Sequence, residues 1–296
     1  MPTADQRLLD LLARTSRTFA LAIPLLPEPA RTTVCLAYLM FRVADTLEDA
    51  ESWPREERLQ ALDDFAALVG ARNPDLAQAA RLSAAWVLRA PTAHLGYLDL
   101  LRAVPELFAA VGRLDLPLQR IVMDHVLRTA QGMRATVERG DARGRVRIGS
   151  LAELRAYCYV VAGIVGELLT AVFLHEAPQV LEKVAETLRL HQAAFGEGLQ
   201  LVNILKDSAE DEGSGRVYLP DGVPREEIFA LARNDLLRAQ LYVDALASSG
   251  APQGFVAFTS LPTQLAAATL PRLERDGAGA KVPRGEVLEM LARIQR

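Results

Sequence analysis

The sequence predicts an all-α protein, and three observations carry that expectation. Apolar residues recur at intervals of three and four along most of the 296 residues, and no stretch sustains the alternation that a strand needs. Alanine and leucine are abundant and aromatic residues make up only 6%, a composition that suits helices better than sheets. Proline, glycine and capping residues punctuate the pattern at helix-length intervals. Half of the chain is hydrophobic, which is enough for one large core. No linker or low-complexity tract divides it, so residues 1–296 are expected to form a single domain.

Taken in order, the first element is an amphipathic helix over 5–15. Its sequence, MPTADQRLLDLLARTS, lacks the basic-then-apolar order of a secretory signal. The next helix, over 30–50, carries the most information. From Thr32 to Ala44 its one charged residue is Arg42, and then Asp45, Glu48 and Asp49 follow closely. A helix apolar on every side is buried. At roughly 100° per residue, Tyr38, Arg42, Asp45 and Asp49 fall within about 60°, so one polar stripe points into the protein with Glu48 close by. Helices over 55–70 (opened by Pro54), 76–88, 92–112 and 116–139 come next. The loop GDARGRVRIGS, residues 140–150, holds three arginines and three glycines. It reads either as a mobile cationic flap over a phosphate site or as an ordinary solvated loop.

Ser150 and Glu153 form a capping box that opens a helix over 151–175. There Tyr157, Val161, Ile164 and Leu168 share a face, and Gly163 and Gly166 leave room for close packing. The helix over 179–210 brings a second polar stripe, in which Gln200, Asn203, Asp207 and Asp211 fall within roughly 80°. EGSGRVYLP follows it and can set Arg216 beside that stripe. Helices over 225–247, 254–274 and 285–295 complete the chain, the first two divided by Gly250-Ala251-Pro252. Between the last two, RDGAGAKVPRG offers Lys281 and Arg284 to an anion.

An unpaired carboxylate on a buried helix costs several kcal/mol. Two stripes of the same form argue against solvated helix ends and suggest oxygen ligands able to face each other across a cavity. Carboxylate and amide oxygens are what Mg²⁺ accepts, and Mg²⁺ usually completes its octahedron with substrate phosphate oxygens. A net charge of −4 and a pI near 5.7 provide no basic field for nucleic acid. An anionic ligand must therefore be held locally, by metal ions and a few arginines. No run of 18 uninterrupted apolar residues occurs, so a soluble protein without a transmembrane span is expected. Cys35 and Cys158, both within apolar helical patterns, read as buried free thiols and point to the cytoplasm. The histidines show no metal-ligand spacing.

The segments SRTF (16–19), YLMFRVADTLED (38–49), YCYVVAGIVGELL (157–169), LQLVNILKDSAED (199–211), RVYLP (216–220) and FTSLPTQLAAATL (258–270) together resemble the squalene and phytoene synthases, the head-to-head trans-isoprenyl diphosphate synthases. The resemblance runs from about Ser16 to about Gly285 and implies the all-α isoprenoid synthase fold around a central cavity. It implies that Asp45 and Asp49, with Glu48 nearby, serve one Mg²⁺ cluster, and that Asn203, Asp207 and Asp211 serve the opposite side. Ser16, Arg17, Tyr38, Arg42 and Arg216 would contact diphosphate, with Phe19 and Gln200 completing the substrate site. Tyr157 matches a tyrosine implicated in catalysis; a phenol can stabilise a cation through its ring and relay a proton through its hydroxyl. An allylic cation reacts with any water it meets, so apolar walls are required. Phe19, Phe258 and Leu261 are candidates.

The implied substrate is farnesyl diphosphate, two molecules of which join through a cyclopropyl diphosphate. Reduction by NADPH would then give squalene. The sibling outcome is dehydrosqualene or, from longer chains, phytoene, by the same condensation without reduction. Lys281 and Arg284, with Asn203 and Arg216, are the implied NADPH contacts, although Pro283 stands where squalene synthases tend to have a basic residue. No G-x-G-x-x-G follows a strand, so the cofactor would bind outside a Rossmann domain. Squalene synthases of higher cells end in a membrane-anchoring helix. Here the expectation is no transmembrane anchor, with room for transient membrane contact because substrate and product are greasy.

Overall fold

Most expected helices form where the apolar period and the caps put them. The computed structural model describes residues 4–141 and 145–295, and among them it holds fourteen α-helices and no strand. The chain divides into two compact units, Met1–Ile23 with Glu28–Arg145 and Pro24–Pro27 with Val146–Arg296.

The first unit contains α1 (Ala4–Thr15), α2 (Phe19–Ala22), α3 (Ala30–Glu48), α4 (Arg55–Gly70), α5 (Leu76–Leu88), α6 (Leu95–Arg102), α7 (Val104–Val111) and α8 (Leu116–Arg139). α3 lies at its centre, packed by α1, α4, α6, α7 and α8. Leu36, Leu39, Met40, Val43, Ala44 and Leu47 are fully buried, the outcome expected for a helix apolar all round. Asp75, His94 and Asp115 cap α5, α6 and α8 by accepting from the backbone N–H groups of Ala77, Tyr97 and Leu118. Two features depart from the sequence reading. The single helix expected over 92–112 is the pair α6 and α7, because Pro105 has no N–H with which to continue a ladder but fits the first turn of a new helix. The short α2 was not anticipated; Ser16 Oγ accepts from Phe19 N at 3.0 Å just before it.

The second unit contains α9 (Leu151–Cys158), a π-helical turn (Tyr159–Gly163), α10 (Ile164–Glu176), α11 (Glu182–Gly213), α12 (Arg225–Ala247), α13 (Gln253–Asp276) and α14 (Arg284–Ile294). The 32-residue α11 is its axis, packed by α9, α10, α12, α13 and the π turn. Ser150 accepts from Glu153 N at 3.2 Å, while Glu153 reaches back to Gly149 N at 2.7 Å, so the capping box closes one residue earlier than the usual motif. The helix expected over 151–175 is interrupted by the π turn, where α11 comes very close. A Cβ on Gly196 would stand 1.9 Å from Ala162 O, and one on Gly166 would stand 1.8 Å from Gln192 O.

Leu151–Glu176 is long and apolar enough to cross a membrane, with a mean hydropathy of 1.9, but 56% of that window is buried inside the protein. Leu154, Cys158, Leu168 and Val172 sit in the core, so its apolarity has an internal use. Cys35 and Cys158 are buried free thiols.

In the 140–150 loop, Ala142, Arg143 and Gly144 lie outside the described residues. The remainder is tied down and does not hang free as a flap. Arg145 pairs with Asp141 at 2.6 Å. Ile148 N donates to Val217 O at 2.8 Å and Val217 N to Val146 O at 2.9 Å, forming an isolated parallel bridge between Arg147 and Val217.

The glycine contacts give the first prediction. Gly196→Ala should destabilise the protein by about 2–3 kcal/mol, because backbone at 1.9 Å cannot yield as a flexible side chain would. Gly213→Ala, with nothing within 4 Å, should be neutral or slightly stabilising. Urea unfolding of both variants reads the difference, and equal stabilities would mean that α11 and the π turn can move apart freely.

Candidate functional site

On α3, the polar stripe begins at Tyr38, whose hydroxyl donates to Thr15 O at 3.2 Å and accepts from Arg42 Nη2 at 3.2 Å. Arg42 Nη1 pairs with Asp45. Both side chains are less than a third exposed, at 29% and 28%. Burial works against the Arg42 charge, but Asp45, Tyr38 and Tyr97 more than offset it and raise its pKa further. Asp49 is the exposed C-cap of α3 and donates its backbone N–H to Asp45 O at 2.8 Å. Phe19 packs its ring 5.4 Å from that of Tyr38, Ser16 caps the start of α2, and Arg17 is exposed. Glu48 lies one residue before Asp49. It is buried, its backbone carbonyl accepts from the buried Arg58 of α4, and it lies off the stripe by the angular spacing of the helix.

On α11, the second stripe runs from the half-buried Gln200 through Asn203 and Asp207 to Asp211. Lys206 bridges it, with Nζ 3.1 Å from Asn203 Oδ1 and 3.3 Å from Asp207 Oδ2. The helix continues to Gly213, so Asp211 stands inside it and meets Arg216 at 3.0 Å. Burial raises the Asp211 pKa; the Arg216 charge and hydrogen bond oppose the rise, and Asp207 and Glu210 add to it.

Two residues after Arg216, Tyr218 stacks on Tyr157 with centroids 5.0 Å apart and planes 30° apart, and the two hydroxyls are 3.3 Å apart. Tyr157 is buried. The loop holding Lys281 docks on α11 through Gly279 N, which donates to Lys206 O at 2.8 Å. Lys281 and Arg284 are exposed, and Pro283 is the N-cap of α14. Phe258 and Leu261 are buried in α13.

Sequence reasoning named most of these groups but missed Tyr218 and Lys206. RVYLP carried Tyr218 in plain view, yet its contact spans 61 residues and has no local signal.

The donors fit a hard divalent cation. Asp45 and Asp49 on one helix, and Asn203, Asp207 and Asp211 on the other, offer only oxygen at i, i+4 spacing. Basic side chains lie on the same carboxylates, so each stripe already gathers a counter-charge.

Behind the second stripe lie two further acids. Asp235 on α12 is fully buried, neither carboxylate oxygen accepts a hydrogen bond from a described residue, and its ion-pair partner Arg238 stands 3.9 Å away. Glu197 on α11 is buried with Arg155 at 3.7 Å. Burial raises both pKa values, and Asp235 further raises that of Glu197.

Compared with known proteins, residues 12–288 match the family described as squalene/phytoene synthase. A squalene synthase of Botryococcus braunii is 28% identical over 213 residues, covering 71% of this chain and 41% of that protein. The chain spans about two fifths of the length of the curated relatives it matches. In fold it is similar to TcSQS solved with the ligand E5700, with a TM-score of 0.78 at 24% identity over 98% of this chain and 85% of that one. A dehydrosqualene synthase solved with a ligand aligns with a TM-score of 0.61 at 18% identity over 99% and 95%.

Asp235 supplies the prediction here. Its folded pKa is raised, so between the unfolded value, about 3.9, and the folded one the native state holds more protons, and its stability falls as pH rises. Asp235→Asn removes that loss. Relative to wild type, the variant should gain stability as pH rises above about 4 in urea titrations, until the folded carboxyl has ionised. A difference that does not change with pH above about 4 would mean the carboxylate carries no burial penalty.

Proposed function

Because the chain belongs to the squalene/phytoene synthase family and has the all-α isoprenoid synthase fold, we propose that it is a squalene synthase, which joins two farnesyl diphosphates head to head and reduces the product with NADPH. The observation that carries this reading is the pair of oxygen-donor stripes, each on a packed helix and each with its own basic side chains. Pyrophosphate leaves as a concentrated negative charge, and groups fixed in advance around that charge lower the barrier most.

In this reading Arg42, Arg216 and the Tyr38 hydroxyl hold diphosphate oxygens, with Ser16, Arg17, Phe19 and Gln200 at the substrate. Asp45, Asp49, Asn203, Asp207 and Asp211 hold Mg²⁺, which supplies Lewis-acid neutralisation of the diphosphates. Tyr157, held by Tyr218, sets a phenol ring against the allylic cation and accepts or returns a proton at its oxygen. Lys281 and Arg284, with Asn203 and Arg216, take the phosphates of NADPH, which supplies hydride. The docking of Gly279 on Lys206 supports this grouping, since it brings the basic loop to the helix that carries Asn203.

A second reading, condensation without reduction to dehydrosqualene or phytoene, rests on Pro283. Its place as the N-cap of α14 leaves Arg284 one position beyond the expected basic residue.

Purified protein given farnesyl diphosphate and Mg²⁺ should yield squalene when NADPH is present, and presqualene diphosphate or dehydrosqualene-type products when it is absent. Dehydrosqualene as the main product at saturating NADPH would transfer the assignment to the second reading. Asp45→Asn and Asp207→Asn should each lower turnover by about 100-fold with helix content unchanged by circular dichroism. Retention of more than about a tenth of the rate at saturating Mg²⁺ would remove that residue from the metal set.

A further inference from the structure

Arg42 is held by little besides its one carboxylate. A guanidinium has five N–H donors. Here Nη1 goes to Asp45 and Nη2 to Tyr38, while Nε is buried without a hydrogen-bond partner among the described residues. No bidentate fork fixes its plane. Two rings stand in that role: Arg42 Cζ lies 5.6 Å from the centroid of Tyr38 and 5.7 Å from that of Tyr97, both within the distance at which a ring face attracts a cation.

Tyr38 belongs to the same helix and to a recognised motif. Tyr97 belongs to neither, and its own placement is well determined. It sits in the first turn of α6, where His94 Nδ1 accepts from its backbone N–H at 3.3 Å. The His94 ring packs against it, tilted by 33°, with centroids 4.2 Å apart. The turn is seated on the end of α1 closely enough that a Cβ on Gly96 would meet Arg14 O at 2.6 Å, and Arg14 pairs with Asp99 at 2.7 Å. The last residue of α1, Thr15, also receives the Tyr38 hydroxyl. One helix end therefore sets both rings.

We propose that Tyr97 is a positioning residue for Arg42: its ring, fixed on α6 by His94 and by the seat on α1, holds the guanidinium in the orientation in which its remaining donors bind a diphosphate. The inference rests on the reading of Arg42 as a diphosphate ligand. It adds a residue, and a helix, that the motifs do not contain. The contribution comes from the face of the ring, because no hydrogen bond joins the Tyr97 hydroxyl to Arg42.

The test is calorimetric titration of the full chain with inorganic pyrophosphate in Mg²⁺, which does not depend on turnover. Tyr97→Met, of similar bulk but with no ring, should weaken binding about five- to tenfold. Tyr97→Phe should restore most of the affinity. Arg42→Ala should weaken binding by more, and adding Tyr97→Met to Arg42→Ala should cost nothing further. If Tyr97→Met fails to fold by circular dichroism, a ring-fluorinated phenylalanine at position 97 keeps the shape and weakens the ring face. It should lose affinity relative to Tyr97→Phe.

Full additivity in the double variant, equal losses for Met and Phe, or a silent Tyr97→Met each overturn the inference while leaving Arg42 as a ligand. A silent Arg42→Ala removes the diphosphate reading of Arg42, and the role of Tyr97 falls with it.

Discussion

A helix whose other faces are locked in the core cannot turn to move its polar stripe, and the arrangement of both stripes follows from that restraint. Turning α3 to expose Asp45 would drag Leu36, Leu39, Met40, Val43 and Leu47 out of full burial. Each such side chain is worth about 1.5–3 kcal/mol when buried. A badly placed carboxylate costs several kcal/mol, less than the sum of those losses, so the apolar faces win and the charges must be answered where they stand. Arg42 answers Asp45, Lys206 answers Asp207 and Arg216 answers Asp211.

The same restraint explains why so much was legible beforehand. The apolar period of α3 and α11, and the i, i+4 spacing of their polar residues, depend only on helix geometry, so the stripes could be read with no knowledge of packing. Caps were legible for a similar reason: Ser150 and Pro54 act on their own turns. What escaped was set by distant contacts. The π turn at Tyr159–Gly163 lies where Ala162 and Gly196 meet, 34 positions apart in sequence. Tyr218 matters through Tyr157, and neither residue's local sequence names the other. Glu48 belongs to the acidic motif but, by the angular spacing of the helix, sits beside the stripe and not on it. The break at Ala103 was readable from Pro105, but the apolar residues on both sides masked it.

Each stripe is built on one long helix and finished by short segments from elsewhere in its unit. Beside α3 these are the end of α1 and the first turn of α6; beside α11 they are residues 216–218 and the loop at Gly279. The long helices fix the acids rigidly. The short segments add Arg216 and the rings of Tyr97 and Tyr218, and there a few changed residues can alter what is bound without disturbing the core.

Lys206 makes two attachments through different parts of one residue. Its backbone carbonyl receives Gly279, at φ 85°, and its ammonium rests on Asn203 and Asp207. The first attachment is indifferent to the side chain, whereas the second can be released by rotation about four carbon–carbon bonds. A cation arriving at Asp207 has to displace only the ammonium, and the loop keeps its anchor. Lys206 therefore acts as a tethered counter-ion, exchangeable at its tip and fixed at its root.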